Sequence, residues 1–253
     1  MANSNGRFVW RELMTSDPEA AKRFYGEVFG WKARASDMGS FTYYLFDTPE
    51  GKEVAGMMKL PMPGTPPHWL GYVSVDDTDA AVARMKGAGG KVYVEPQDIP
   101  NVGRFAVVAD PGGGVTAAFK PATSQAPPAG PPKVGEFCWE QLNATDVDAT
   151  VAFYEKAYGW TSAPFGPGGE MKTLGVGEGP MNQVASVMKA PPGAPTHWLT
   201  YVVVDKLANA RDRIRKAGGA IMVEAIDVPG IGTFAVAQDP QKAIICAFES
   251  AAR

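Results

Sequence analysis

"FVWRELMTSDPEAAKRFYGEVFGWK", Phe8 to Lys32, is echoed 129 residues later by "FCWEQLNATDVDATVAFYEKAYGWT", Phe137 to Thr161. The shift sets Trp10 on Trp139, Leu13 on Leu142, Asp17 on Asp146, Phe24-Tyr25 on Phe153-Tyr154 and Gly30-Trp31 on Gly159-Trp160. Self-similarity at a fixed offset marks a repeated structural unit. The same offset carries His68-Trp69 onto His197-Trp198 and Tyr72 onto Tyr201. It also carries Gly89-Gly90 onto Gly218-Gly219, Glu95 onto Glu224 and Asp110-Pro111 onto Asp239-Pro240. Only the stretch between about Lys32 and Pro67 needs small gaps.

Between the copies runs "KPATSQAPPAGPPK", Lys120 to Lys133. Proline fixes φ and lacks an N–H, so this run joins neither a helix nor a central strand. It reads as a stiff, extended linker. Each repeat has single-domain size, and the boundaries fall at residues 5–121 and 134–251, with the linker at 122–133.

Composition narrows the function classes. With 45 % apolar and 20 % charged residues the chain reads as an ordinary globular protein. A net charge of −3 with no Lys/Arg run argues against nucleic acid or an anionic membrane as partner. No stretch approaches the roughly 18 apolar residues of a membrane helix, and the amino terminus lacks a signal-peptide core. Cys138 and Cys246 are the only thiols, so a reduced cytoplasm is the expected compartment.

Within one repeat, "FVWRELM" alternates as a strand and sets Phe8, Trp10, Glu12 and Met14 on one face. "TSDPEAAKRFYGEVFGW" reads as a helix capped by Asp17, with Pro18 at its first position and Gly30 ending it in the left-handed conformation. Three strands follow at Lys32–Ser36, Phe41–Asp47 and Val54–Leu60. The second half replays this order. "HWLGYVSVD" is a strand, "DTDAAVARMKGAGG" a helix capped by Asp77 or Thr78, and "KVYVEP", "GRFAVVADP" and "VTAAFKP" three more strands. The fold class is therefore α+β: two tandem domains, each of two β-α-β-β-β modules forming a mixed sheet curled around a concave face. Such a face makes a pocket by geometry.

These phrases, with "VVADPGGG" and the second copy's "VDKLANARDRIRKAGG" and "AQDPQKA", resemble the vicinal oxygen chelate superfamily of glyoxalases, extradiol dioxygenases and bleomycin-resistance proteins. The resemblance covers nearly the whole chain outside the linker, twice. It implies paired modules, a cupped sheet and a ligand pocket on the concave face. It says little about the reaction, because one fold hosts many chemistries. Members often place metal ligands seven residues before the helix-capping Asp, six before the Val-Asp aspartate, and seven after the Asp of Asp-Pro. Those positions hold Trp10, Leu70 and Ala117 in the first copy, and Trp139, Leu199 and Cys246 in the second. Only Cys246 offers a ligand, and one ligand makes no site. Both histidines of the chain occupy equivalent points of different domains, so a single-domain triad of two His and one carboxylate cannot form. No cofactor is expected, and a divalent metal is the minority alternative.

Several residues remain as candidates for chemistry. His68 shares strand parity with Leu70 and Tyr72 and reads either as a general base at the pocket rim or as a histidine bonded to backbone at the Pro-rich strand entrance. Its presence in both copies, with His197, favours the second. Glu12, opposite Gln141, reads as an acid or base in the cup, as a solvent-facing carboxylate, or as one paired with Arg11 or Arg104. Tyr72 is the candidate proton donor. Trp10, Leu70, Trp139, Gln141, His197 and Tyr201 are candidate ligand-binding residues, and Arg104 is a carboxylate binder or a surface arginine. Trp69 and Trp198, of opposite parity, belong under the helices. Cys246 reads as a buried hydrophobe and "DPGGGV" as a turn. The expected function is binding of a small aromatic or carbonyl-bearing molecule without metal, by a monomer or homodimer. The alternative is a glyoxalase-like lyase or isomerase, or a dioxygenase-type enzyme.

Overall fold

The computed structural model describes residues 4–39, 41–61, 64–123, 130–166, 168–177 and 179–251. Residues 124–129 of the proline-rich stretch lie outside them. The first repeat runs β1 (Phe8–Thr15), α1 (Pro18–Phe29), β2 (Lys32–Asp37), β3 (Thr42–Asp47), β4 (Glu53–Lys59), β5 (His68–Ser74), α2 (Thr78–Gly87), β6 (Lys91–Ile99), β7 (Gly103–Ala109) and β8 (Val115–Pro121). The second runs β9 (Phe137–Ala144), α3 (Val147–Tyr158), β10 (Thr161–Phe165), β11 (Met171–Gly175), β12 (Gln183–Lys189), β13 (His197–Val203), α4 (Leu207–Lys216), β14 (Ala220–Val228), β15 (Gly232–Gln238) and β16 (Ile244–Ser250), with a single 3-10 turn at Pro180–Asn182. Each repeat makes one eight-stranded sheet, in the orders β2-β3-β4-β1-β5-β8-β7-β6 and β10-β11-β12-β9-β13-β16-β15-β14. Both are mixed: β1 pairs β4 and β5 pairs β8 in parallel, while β2–β3, β3–β4, β6–β7 and β7–β8 are antiparallel.

The helix signals act as their chemistry requires. The Asp17 carboxylate accepts the Ala20 N–H, Pro18 opens α1, and Gly30 closes it at φ 75°. Asp146 and Gly159 do the same for α3. For α2 the cap is Asp77, which accepts from Ala80 at 2.9 Å. Thr78 instead donates its hydroxyl to the Arg104 carbonyl.

Compactness does not follow the repeats. Among the described residues, one unit takes those within 4–9, 70–123 and 140–198, and the other those within 10–69, 130–139 and 199–251. Each thus takes pieces from both copies. In the second unit α1 lies against α4, and Phe24, Tyr25, Val28 and Trp31 share a core with Leu207, Ala210 and Ile214. The Arg213 Nε–H donates to the Val28 carbonyl at 2.9 Å, placing a cation at the C-terminal end of α1. In the first unit α2 meets α3 in the same way, and Arg84 donates to the Ala157 carbonyl. The repeated tryptophans are explained here too. Trp31 Nε1–H bonds the Gly135 carbonyl at 2.8 Å, and Trp160 Nε1–H bonds that of Gly6 at 2.7 Å.

Trp69 and Trp198 lie on the helix side of their sheets, as parity predicts. Trp69 Nε1–H donates to the Tyr25 hydroxyl, which donates to the Asp239 carboxylate, both at 3.0 Å. Asp239 also accepts the Gln241 and Ala243 N–H groups. Burial raises the Asp239 carboxyl above the ordinary range, opposed by these backbone bonds, and burial with the nearby Asp239 charge raises the Tyr25 phenol. In the first unit the Trp198 Nε1–H likewise donates to the Tyr154 hydroxyl, at 3.3 Å, but that hydroxyl donates to the Gly114 carbonyl at 3.4 Å, with Asp110 nearby. Asp110 organises the "DPGGGV" turn through the Gly112 and Gly114 N–H groups, so that segment is a turn.

One expectation of strand β1 is corrected. Phe8 does not share the surroundings of Trp10 and Glu12. Its ring packs 5.4 Å from Trp198 and 5.9 Å from Trp160, among the core residues under α3.

Candidate functional site

The sheet face opposite the helices carries Glu12 and its partners. On β1, Leu13 points into the helix-side core. Glu12 points the other way and is only 5 % exposed. A buried carboxylate is costly unless hydrogen-bonded, and here the bond comes from Tyr43 on β3, whose hydroxyl meets both Glu12 and Trp10. The Trp10 Nε1–H donates to the Tyr43 oxygen at 3.1 Å. The tyrosine therefore accepts from an indole and donates to a carboxylate. Its phenol is held far above its usual range, first by burial and then by the Glu12 charge.

Gly56 makes this approach possible. It faces Glu12 across the parallel β1–β4 ladder. A Cβ there would fall 1.8 Å from the Tyr43 oxygen and 3.0 Å from the Trp10 indole nitrogen. Met14 and Met58, both half-buried, belong to the same two strands.

The second repeat fills the corresponding positions differently. Gln141 replaces Glu12 and is paired across its ladder with Ser186 rather than a glycine. Asn143, the counterpart of Met14, accepts from Gln141 Nε2 at 2.8 Å. Its own amide lies 3.2 Å from His197 Nε2, while His197 Nδ1 lies 2.8 Å from the Pro195 carbonyl. A carbonyl only accepts, so Nδ1 carries the proton and Nε2 accepts from Asn143. Gln141 Nε2 also reaches Met188 Sδ at 3.1 Å.

The other candidates sort as follows. His68 Nδ1 bonds the Pro66 carbonyl at 2.8 Å, the same local turn as His197. This is the backbone-bonded arrangement at the strand entrance. Of the alternatives for Glu12, a solvent-facing carboxylate does not describe a side chain only 5 % exposed, and the Arg104 guanidinium is engaged by aspartates. Arg104 bonds Asp79 at 2.7 and 2.9 Å and Asp98 at 3.1 Å, so its fork serves a surface ion-pair cluster rather than a pocket edge. Arg11 places its guanidinium over the Phe137 ring, 5.3 Å from the centroid. Leu70 and Tyr72 are buried, and Tyr72 packs edge-on against Phe119 and tilted against Phe105.

Within the second unit, Leu199, Tyr201 and Cys246 form an apolar cluster with Phe234 and Val236, and Cys138 and Trp139 pack against it. Trp139, Leu199 and Cys246 are the three positions at which the resemblance places metal ligands. They do converge, but as an indole, an isobutyl group and one fully buried thiol. A divalent ion needs several lone-pair donors, and these residues do not fit one. Among the described residues no three His, Cys, Asp or Glu side chains gather into a metal-binding group. No helix among them is long and apolar enough to cross a membrane.

Sequence reasoning reached Trp10, Glu12 and Gln141 but missed Tyr43, Gly56 and Asn143. Tyr43 and Gly56 lie where the repeats need gaps, so no offset aligned them. Asn143 was within reach, because it shares strand parity with Gln141.

Residues 7–119 and 136–246 each match the family model of the Glyoxalase/Bleomycin resistance protein/Dioxygenase superfamily. The chain belongs to this superfamily. A mycobacterial relative, "Putative glyoxylase CFP32" of Mycobacterium tuberculosis, is 33 % identical over 249 residues, covering 96 % of this chain and 94 % of the relative. "Anthracycline biosynthesis protein DnrV" of Streptomyces peucetius is 29 % identical over 241 residues, covering 88 % and 86 %. Among solved structures, the Mn(II)-bound glyoxalase of Novosphingobium aromaticivorans superposes with a TM-score of 0.66 at 15 % identity, covering 98 % of this chain and 83 % of that one. The 2,3-dioxygenase LapB of Pseudomonas sp. KL28 gives 0.65 at 12 %, covering 98 % and 94 %. At these identities the likeness to the two structures shows the fold alone.

Proposed function

We propose that this superfamily member binds a small aromatic or carbonyl-bearing organic molecule on the sheet face opposite its helices, without the metal its relatives' fold accommodates. The observation that carries this reading is the cluster of Trp139, Leu199 and Cys246, apolar where a metal set would stand. Aromatic and methionine side chains bury flat ligands well, and a few placed polar groups orient them. The relative named for anthracycline biosynthesis fits this chemistry, since anthracyclines are flat polycyclic aromatics. Binding alone then suffices, as sequestration. The test is a thermal-shift screen of aromatic ketones, quinones and phenols, with mass spectrometry of the recovered ligand. A ligand that raises the melting temperature and returns unchanged supports the reading. A stoichiometric metal whose removal abolishes an activity overturns it.

A second reading is favoured by the buried Glu12 and its bond to Tyr43. A lyase or isomerase of glyoxalase type would use Glu12 to take a proton next to a carbonyl, with Tyr43 holding that carboxylate in place. Any turnover found should fall by about a hundredfold or more in Glu12→Gln. Full turnover in that variant removes Glu12 as the base.

A further inference from the structure

We infer that Met14, Met58 and His68 form a binding site for a soft monovalent metal ion of the copper(I) or silver(I) class. All three belong to one compact unit. They lie apart from the positions considered for a divalent ion, and the inference does not rest on the binding reading above. The argument begins at His68. Its Nδ1 lies 2.8 Å from the Pro66 carbonyl, so Nδ1 carries the proton and Nε2 presents a lone pair. Metal-ligating histidines donate their other ring N–H to just such an acceptor. Among the described residues Nε2 has no hydrogen-bond partner.

The second repeat shows what stands beside that nitrogen. His197 is bonded to Pro195 in the same way, and its Nε2 meets the Asn143 amide at 3.2 Å. Asn143 in turn faces Met188 in the β9–β12 ladder. The same three positions of the first repeat hold His68, Met14 and Met58, on the neighbouring strands β5, β1 and β4, with Met14 facing Met58 in register. Side chains opposed on neighbouring strands are within reach of one another, and the flexible methionine chain lets sulfur turn towards a partner. All three residues are half-buried. Where Asn143 brings a donor that occupies His197 Nε2, Met14 brings a thioether and leaves His68 Nε2 open. Tyr43, the β3 neighbour of Met58, does not compete, because its hydroxyl crosses Gly56 to Trp10 and Glu12. The registers put Ser186 and Met171 at the Gly56 and Tyr43 positions of the second repeat. The donor set is two thioethers and one neutral imidazole. Thioethers are soft ligands that select copper(I), whereas zinc is held by thiolate, imidazole and carboxylate.

The probe is silver(I), which is redox-inert, added in chloride-free buffer to the full chain labelled with 15N. The chain has two histidines, so its imidazole 1H–15N spectrum holds two rings, and His197→Gln assigns them. The expectation is that silver displaces the His68 Nε2 signal and leaves that of His197 in place. Met14→Asn, the second repeat's own residue, should weaken this response by about tenfold or more. The reverse change, Asn143→Met, should confer it on His197. Circular dichroism and melting curves verify folding, and Met14→Leu serves should Met14→Asn not fold. A response from neither ring or from both in the wild type overturns the inference. So does one that persists undiminished in a folded Met14 variant, which would leave the silver on Cys138 or Cys246. A folded Asn143→Met whose His197 ring stays unmoved also overturns it, as does zinc(II) displacing the His68 signal at the same concentration.

Discussion

Gly56 and Tyr43 show how much one missing Cβ decides. The tyrosine hydroxyl crosses the strand backbone to reach Glu12 and Trp10 because nothing projects from residue 56. Gly56→Ala is therefore predicted to destabilise the protein by about 1–3 kcal/mol through overpacking. Urea denaturation checks this, with Tyr43→Ala as the second arm of a double-mutant cycle. In the Tyr43→Ala background the alanine should cost little. An equal cost in both backgrounds would place the strain elsewhere. At this level the sequence spoke unevenly. Glu12 stood out because a carboxylate on an otherwise apolar strand face needs a reason. The reason, Tyr43, comes from a strand whose spacing differs between the copies, and only the folded sheet brings the two together. Arg104 had two readings, a carboxylate binder or a surface arginine, and its guanidinium is held by two surface aspartates.

Helices and strands were readable because their periods and caps are local chemistry. The structure adds a substitution of means at α4. Its N-cap is Lys206, where α2 has Asp77, and no side chain of the cap residue bonds the helix. Glu249 on β16 takes over: it accepts the Leu207 N–H at 2.7 Å and the Lys206 ammonium at 2.9 Å. The Leu207 N–H, and then Lys206, hold its carboxyl below the usual range. A depressed carboxyl contributes stability that is present above its unfolded pKa and is lost as pH falls through the folded one. Glu249→Ala should thus cost about 1 kcal/mol near neutrality, as loss of a cap does. The difference from wild type should shrink as the pH drops below the ordinary carboxylate range. Paired urea melts across that interval check the sign, and a difference that persists in acid would mean that Glu249 acts through packing.

For the molecule as a whole, the repeat was plain in the sequence, but the composition of the compact units was not. Alternation and helical spacing say which face of α1 is apolar. They do not say that α4, from the other copy, covers it. Phe24, Tyr25 and Val28 would also suit a helix of their own repeat. Long-range pairing of this kind leaves no local trace beyond the shared "FY", "GW" and "DP" phrases, whose roles emerge only as Tyr25 meets Asp239 and Trp31 meets Gly135. The consequence is testable by truncation. A fragment ending at residue 121 keeps α1 but loses α4, Asp239 and Gly135. It should not persist as a folded monomer, and sedimentation should find it self-associated or unfolded. A stable monomeric fragment would contradict the mixed units.

Units built from both copies also bear on how the protein came to differ within itself. A single repeat pairing with its own twin would obey two-fold symmetry. Every substitution would then appear at two places at once, and an acid gained in one site would be gained in the other. Joining the copies into one chain ends that obligation while preserving the partnership of α1 with α4 and of α2 with α3. Glycine and tyrosine can be kept on one side and serine and methionine on the other. Covalent fusion is what allows one architecture to be inherited twice and its chemistry to be written separately each time.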